Sequence, residues 1–233
     1  AAQLLSDTSI LGFILGFVVT KTNFCTMGAV SDWVNIGDLS RFKAWMLAAA
    51  VAILGVTILD FMSFFDINDS RIPYRNSVLA WPRYMLGGLM FGVGMTYASG
   101  CGNKVLIRVG GGNLKSLIVL LVAGLMAYVM TRTDFYGIVF HSWMNPISLD
   151  LAKIGILDQS LPTIVSSVFS ITNSVYFNFI IGLTVSLTMI FLIFKSGKFI
   201  KNFDNVLSGF VVGTIVVFAW LLTGGSTGTE WIE

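Results

Sequence analysis

The run Val175–Phe194, VYFNFIIGLTVSLTMIFLIF, holds 20 consecutive residues without a charged side chain. Crossing the hydrocarbon core of a bilayer takes about 20 helical residues, with a range of roughly 17–25. Lipid offers the backbone no hydrogen-bond partner, so such a run is expected to satisfy its own polar groups as a helix. Five more apolar runs read the same way: Ile10–Thr20 (from near Leu4 at the earliest), Ala44–Leu59 (extendable to Phe65), Met85–Ala98, Leu114–Met130 and Val206–Thr223. Four of the six reach or approach spanning length. The first and third fall short alone.

Composition agrees. Apolar residues make up 55% of the 233 and charged residues 11%, against about 25% charged in soluble domains. The fold class expected is an all-α polytopic membrane protein, with the lipid bilayer as its solvent. A net charge of +2 and the absence of basic stretches interleaved with aromatics argue against nucleic acid as a partner. Two cysteines make neither a disulfide framework nor a zinc site, and no cofactor is expected. The chain shows no N-terminal targeting peptide, opens on Ala1-Ala2 and closes soon after an apolar run; it is expected to be a piece of a longer protein.

The two short runs are the ones that lead into cysteines. GFILGFVVTKTNFCTMGAV from Gly12 and GLMFGVGMTYASGCGNKVL from Gly88 align without a gap. Gly12, Gly16 and Cys25 fall on Gly88, Gly92 and Cys101, an offset of 76 residues, which is the mark of an internal repeat. A third echo, from Gly209, keeps the glycine pair but has Leu222 in the cysteine's place. Glycines four residues apart share a helix face and let two backbones approach. One transmembrane domain is expected over 1–233, with repeat units about 10–65 and 85–130, a loop over 131–174 and further spans over 175–223.

After each cysteine the chain turns less apolar, through TMGAVSDW and GNKVLIRVGGGN. Each stretch reads as a broken or re-entrant helix, with the cysteine in the turn. Irregular backbone at membrane depth survives only when buried in protein or lining a cavity. Matched, glycine-interrupted segments in two repeats are the best sequence pointer to a transporter's binding site. SWMNPISLDLAKIGIL, within Thr131–Ser174, reads as short interfacial helices. Lys195, Lys198 and Lys201 are opposed only by Asp204, so the bias of basic loops makes that loop cytoplasmic and 131–174 external.

A thiol is a weak hydrogen-bond donor, poorly suited to hard oxyanions and better suited to soft sulfur or selenium. Glycines beside Cys101 expose backbone N–H groups that can form an anion-binding concavity. Helix N-termini after Cys25 and after Asn113, a candidate N-cap, add partial positive charge. Burying an unpaired ion costs on the order of tens of kcal/mol in the idealised limit, so an anion needs several N–H donors besides a thiol. A thiolate would repel it, so neutral thiols are expected; apolar burial raises a thiol's pKa and suits that state.

Plainer readings stand beside these. Cysteine often packs as a small hydrophobe. Lys104 and Arg108 can snorkel to a headgroup layer. GGGN (Gly110–Asn113) lacks the Gly-Lys-Ser/Thr ending of a phosphate loop and reads as a turn. Asp32 and Asp60 read as solvated, and His141 is given no role. No Ser/His/Asp set or catalytic carboxylate pair can be assembled, so no enzyme activity is expected.

TKTNFCTMGAVSDW (Thr20–Trp33) and GGLMFGVGMTYASGCGNKVLIRVGGGNLKSLIVLL (Gly87–Leu121) closely resemble the YeeE/YedE family of bacterial sulphur-compound transporters. The likeness covers most of 10–130 and, less specifically, Gly209–Gly224. It implies an inner-membrane protein of two pseudo-symmetric halves. Cysteines at a central constriction would pass thiosulfate inward by transient S–H contacts to its terminal sulfur. Cys25 matches the family's Phe-Cys motif and Cys101 its Gly-Cys motif. The family has a further cysteine motif in its second half, which this chain lacks up to Glu233. The resemblance also implies a small soluble sulphur-carrier protein as partner, and selenium compounds as another cargo.

The expected roles follow. Cys25 and Cys101 contact the soft sulfur. Backbone at Asn23–Thr26 and at Gly100, Gly102 and Asn103 cradles the oxyanion end. Lys21, Lys104 and Arg108 attract it. Two rivals remain: a membrane thiol–disulfide oxidoreductase using Cys25 and Cys101 as a redox couple, and a structural subunit whose cysteines only pack.

Overall fold

The computed structural model describes residues 2–64, 77–156, 158–169, 174–195 and 197–224. The described chain is helical almost throughout. Its helices are α1 (Ala2–Thr22), α2 (Thr26–Ile36), α3 (Ser40–Phe61), α4 (Trp81–Tyr97), α5 (Gly102–Gly110), α6 (Leu114–Arg132), α7 (Ser142–Ile147), α8 (Leu161–Phe169), α9 (Val175–Phe194), α10 (Gly197–Ile200) and α11 (Phe203–Gly224). A π-helical turn, Gly137–His141, precedes α7, and a 3-10 turn spans Leu151–Ile154. The only strands among the described residues are the two-residue β1 (Val78–Leu79) and β2 (Leu149–Asp150). The extension of the second run to Phe65 lies outside the described residues.

Among the described residues five candidate spans meet the length and hydropathy needed to cross a bilayer: Ser6–Ile36, which contains the break between α1 and α2, and Ser40–Phe61, Leu114–Arg132, Val175–Phe194 and Phe203–Thr223. The first is a correction. The apolar run Ile10–Thr20 looked short, but helix extends back to Ala2 through polar Ser6, Asp7 and Thr8, giving α1 21 residues. Helix length is set by backbone hydrogen bonding, which polar residues at a membrane interface do not interrupt. Helix α4 stays short, at 17 residues. On α6, Ile118, Leu121 and Leu125 are each more than 60% exposed. In water a stripe of that kind would be a liability; against lipid tails it is the surface required. The protein is an all-α polytopic membrane protein.

The chain forms two compact units, 1–73 with 165–233, and 74–164. In the first, α3 is the hub, packing on α2, α9 and α11, while α1 packs on α11. Its core joins Ala44 and Leu47 to Ile193 and Phe199, flanked by Phe24, Val51, Ile190 and Val206. Four glycines make this packing possible, Gly55 on α3 among them, where a Cβ would strike the Val217 side chain. A Cβ at Gly209 would lie 2.7 Å from the Ala44 carbonyl oxygen, and one at Gly213 2.7 Å from that of Ala48. At Gly182 on α9 a Cβ would sit 2.5 Å from Thr57 Oγ1. The third glycine pair is therefore a true close helix contact. The first two are not: Cβ atoms at Gly12, Gly16, Gly88 or Gly92 would meet nothing within 4 Å. At the third echo's Leu222 the helix runs on unbroken to Gly224.

In the second unit, β1 pairs antiparallel with β2, Val78 opposite Asp150 and Leu79 opposite Leu149. Gln159 Nε2 donates to the Val78 carbonyl (2.9 Å) and Trp81 Nε1 to that of Ile147 (3.1 Å). These bonds tie the loop over 131–164 to the start of α4, where Pro82 occupies a position that tolerates a missing N–H. In the stretch SWMNPISLDLAKIGIL, read as short helices, α7 and the 3-10 turn are present with β2 between them; α8, farther on, was not read in the sequence.

Candidate functional site: two matched helix breaks

Both cysteines stand where the sequence places them, in breaks between helices. Helix α1 ends at Thr22 and α2 begins at Thr26; α4 ends at Tyr97 and α5 begins at Gly102. Asn23 (φ 54°) and Ser99 (φ 56°) take the left-handed conformation. They are equivalent positions of the repeat. A single left-handed residue is how many helices end, because it turns the next N–H back onto a carbonyl of the last turn. Here Phe24 N–H donates to Val19 O (3.3 Å), and Gly100 N–H to Met95 O (3.0 Å). Asparagine tolerates that backbone region; serine does so less readily.

Each cysteine then becomes the N-cap of the next helix in extended backbone, Cys25 at φ −152°, ψ 129° and Cys101 at φ −70°, ψ 165°. Cys25 O accepts from Ala29 N–H and Cys101 O from Val105 N–H, both at 3.0 Å. Neither thiol caps its helix. Each residue is 7% exposed, and both are thiols rather than disulfide-bonded. Upstream, Thr20 Oγ1 donates to Gly16 O (2.6 Å) and Thr96 Oγ1 to Gly92 O (2.9 Å). These features recur at the same offset, so the repeat read in the sequence is a repeat of local geometry.

The geometry redirects the anion donors. Glycine at position 100 was expected to offer its N–H, but that group is held by Met95 O, because the left-handed turn at Ser99 points it backward. The available donors lie on the other side of each cysteine. The first-turn N–H groups of a helix have no intrahelical acceptor: those of Thr26 and Met27 in α2, and of Gly102 and Asn103 in α5. Thr26 and Asn103 are half-buried, and Gly102 is exposed. They carry the partial positive charge of a helix start.

Of the basic residues, Lys104 folds its stem over Gly100, where a Cβ would meet its Cβ and Cδ at 3.1 Å. Arg108 reaches back along α5, and its Nη1 donates to Ser99 O at 2.9 Å. Lys21 is exposed in the last turn of α1. The sequence reading missed Arg41. Its Nη2 donates to Asn23 O (2.6 Å) and its Nη1 pairs with Asp32 Oδ2 (3.0 Å). Asp32, read as solvated, is instead the partner that aims this arginine. Gly28 makes room: a Cβ there would lie 2.8 Å from Arg41 Nη1. No signal within the repeat alignment points to Arg41, because it comes from α3 and the second repeat has Leu117 there. GGGN is a turn, as expected, with Gly112 at φ 83° and Asn113 capping α6 by accepting from Ser116 N–H (3.2 Å).

At the far end of α2 from Cys25 lies an open cleft of about 430 Å³, lined by Asp38, Ser40, Lys43 and Lys198 among others. Asp38 Oδ1 accepts from Ser40 Oγ (2.7 Å) and Ser40 N–H (3.0 Å). Those two bonds hold its carboxyl below the ordinary aspartate range, helped by Lys198 and Lys43. A depressed carboxyl contributes stability that is present above its unfolded pKa and is lost as pH falls through the folded value. The thermal stability of wild type should therefore fall, relative to Asp38→Asn, as pH drops below the ordinary aspartate value of about 3.9. The effect should be small, because Asp38 is exposed.

The chain is similar to known proteins over part of its length. The chain is 31% identical over 129 residues to the thiosulfate transporter TsuA of Escherichia coli, an alignment covering 55% of this chain and 35% of that protein. It is 27% identical over 145 residues to the thiosulfate transporter TsuA of Spirochaeta thermophila, covering 60% of this chain and 41% of the relative. The chain thus spans well under two thirds of the relatives it matches. Residues 21–232, both cysteine breaks included, match the family described as sulphur transport, and the chain belongs to that YeeE/YedE family.

Proposed function

We propose that this protein carries a small sulphur-containing anion, thiosulfate above all, across the bacterial inner membrane into the cytoplasm. The observation that carries the reading is the pair of matched breaks, each with a buried thiol at a helix start, in a chain of the sulphur transport family. In each break the thiol meets the soft terminal sulfur while the first-turn N–H groups of α2 or α5 take the oxyanion end. Hydrogen bonds to charged groups are worth about 1.5–3 kcal/mol each, so the donors of each break offset part of the anion's lost hydration. Lys21 and Lys104 raise the local anion concentration. The basic Lys195–Lys201 loop faces the cytoplasm, where a soluble sulphur-carrier protein would collect the cargo; selenium analogues of the same shape are further cargo. A thiol–disulfide oxidoreductase is the weaker reading, because the family is one of transport.

Growth tests cargo and direction together. A bacterium deficient in thiosulfate uptake, given thiosulfate as its sole sulphur source, should grow when it carries the full-length protein. Failure to grow, with the protein present in the membrane, would contradict the proposal.

A further inference from the structure

Each broken helix is closed by a guanidinium. Arg41 Nη2 donates to Asn23 O at 2.6 Å and Arg108 Nη1 to Ser99 O at 2.9 Å. Asn23 and Ser99 are equivalent in the repeat, yet the arginines are not: Arg108 aligns with Asp32. In the first repeat that position holds an acid, which binds Arg41 from α3 at 3.0 Å. In the second it holds the arginine itself. Two different side-chain arrangements thus place positive charge on one carbonyl, that of the left-handed residue just past the end of the helix that precedes the cysteine.

An anion needs that charge. A break joins two helix ends of opposite sign: the start of α2 or α5 is partly positive, and the end of α1 or α4 is partly negative, by roughly half an elementary charge each. An anion held by the first-turn N–H groups lies within a few residues of the carbonyl end, which repels it. We propose that Arg41 and Arg108 are positioning residues that neutralise this carbonyl end and so make each break selective for anions. The inference rests on the reading above that the breaks receive an anion. At the first break Asp32 offsets part of the charge; at the second, no ion pair to Arg108 is present among the described residues.

The test uses the full-length protein in membranes, with an anionic and a neutral methanethiosulfonate reagent and mass spectrometry of the cysteine peptides. The thiolate attacks the sulfenyl sulfur of either reagent and expels methanesulfinate, so any change in thiol ionisation cancels in the ratio of their rates. Arg108→Gln should lower the anionic-to-neutral ratio at Cys101 about tenfold, as expected for one elementary charge nearby at partial screening. Arg108→Lys should keep it within about threefold, since lysine retains the charge without the planar fork. An unchanged ratio in Arg108→Gln, or a lysine variant that falls as far as the glutamine one, would overturn the proposal in favour of a purely structural clasp. Should Arg108→Gln fail to accumulate, Asp32→Asn decides at Cys25: the ratio should rise about threefold, and no rise would overturn it. Thiosulfate uptake measured alongside separates the two claims, because ratios that shift as stated in a protein that moves no thiosulfate would contradict the cargo alone.

Discussion

Cys101→Ala in the full-length protein should lower thiosulfate uptake by about 10- to 150-fold while leaving the protein folded and in the membrane. The range is one hydrogen bond to a charged group, about 1.5–3 kcal/mol, expressed as a rate. Fold is retained because the start of α5 does not depend on a thiol cap: it is closed by the Cys101 carbonyl bonding Val105 N–H, and alanine keeps that carbonyl. Removing one buried sulfur costs a small cavity, well short of unfolding. Cys25→Ala should behave alike, since the geometry around it is equivalent. Serine should not rescue either variant, because its hard hydroxyl is poorly matched to a terminal sulfur. Uptake of sulphur-35 thiosulfate, normalised to membrane protein, reads the effect. Full uptake in Cys101→Ala would support the packing-only reading.

Gly213→Leu should prevent the first unit from assembling. Helix α3 lies so close to α11 that a Cβ at Gly213 would be 2.7 Å from the Ala48 carbonyl oxygen and 2.7 Å from Val51 Cβ. A backbone oxygen cannot rotate away, so the helices must separate, and overpacking of this kind costs about 1–3 kcal/mol for small additions and more for a full side chain. Gly213→Ala should fall in that range and Gly213→Leu beyond it, seen as lost thermal stability and lost monodisperse elution in detergent. Gly124→Ala on α6, where a Cβ would meet nothing within 4 Å, should be neutral or slightly stabilising, since glycine inside a helix costs roughly 0.5–1 kcal/mol against alanine.

These two predictions draw on features of different legibility. The spans were legible because bilayer hydropathy acts on each segment alone, and Val175–Phe194 needed no partner to be read. The breaks were legible because the glycine and cysteine pattern occurs twice at one offset. Which glycine pair forms a close contact was not legible: the spacing at Gly12, Gly88 and Gly209 is the same, and only the α3 surface distinguishes the last. Nor was the fate of the Gly100 N–H, which the left-handed backbone at Ser99 decides. Arg41 was out of reach because its target, Asn23, lies 18 residues away across the α2–α3 corner. An alignment of the repeat shows only Asp32 opposite Arg108, which looks like a mismatch until the guanidinium of Arg41 is seen beside it.

The central claim is that both thiols contact the passing anion, and substrate protection tests it most directly. Membranes holding the full-length protein are treated with a neutral alkylating reagent, with and without saturating thiosulfate, and modification of Cys25 and Cys101 is followed peptide by peptide. Thiosulfate should slow both modifications several-fold, and sulfate, which lacks the soft sulfur, should slow them less. Equal modification with and without thiosulfate, in membranes that still take thiosulfate up, would contradict the account.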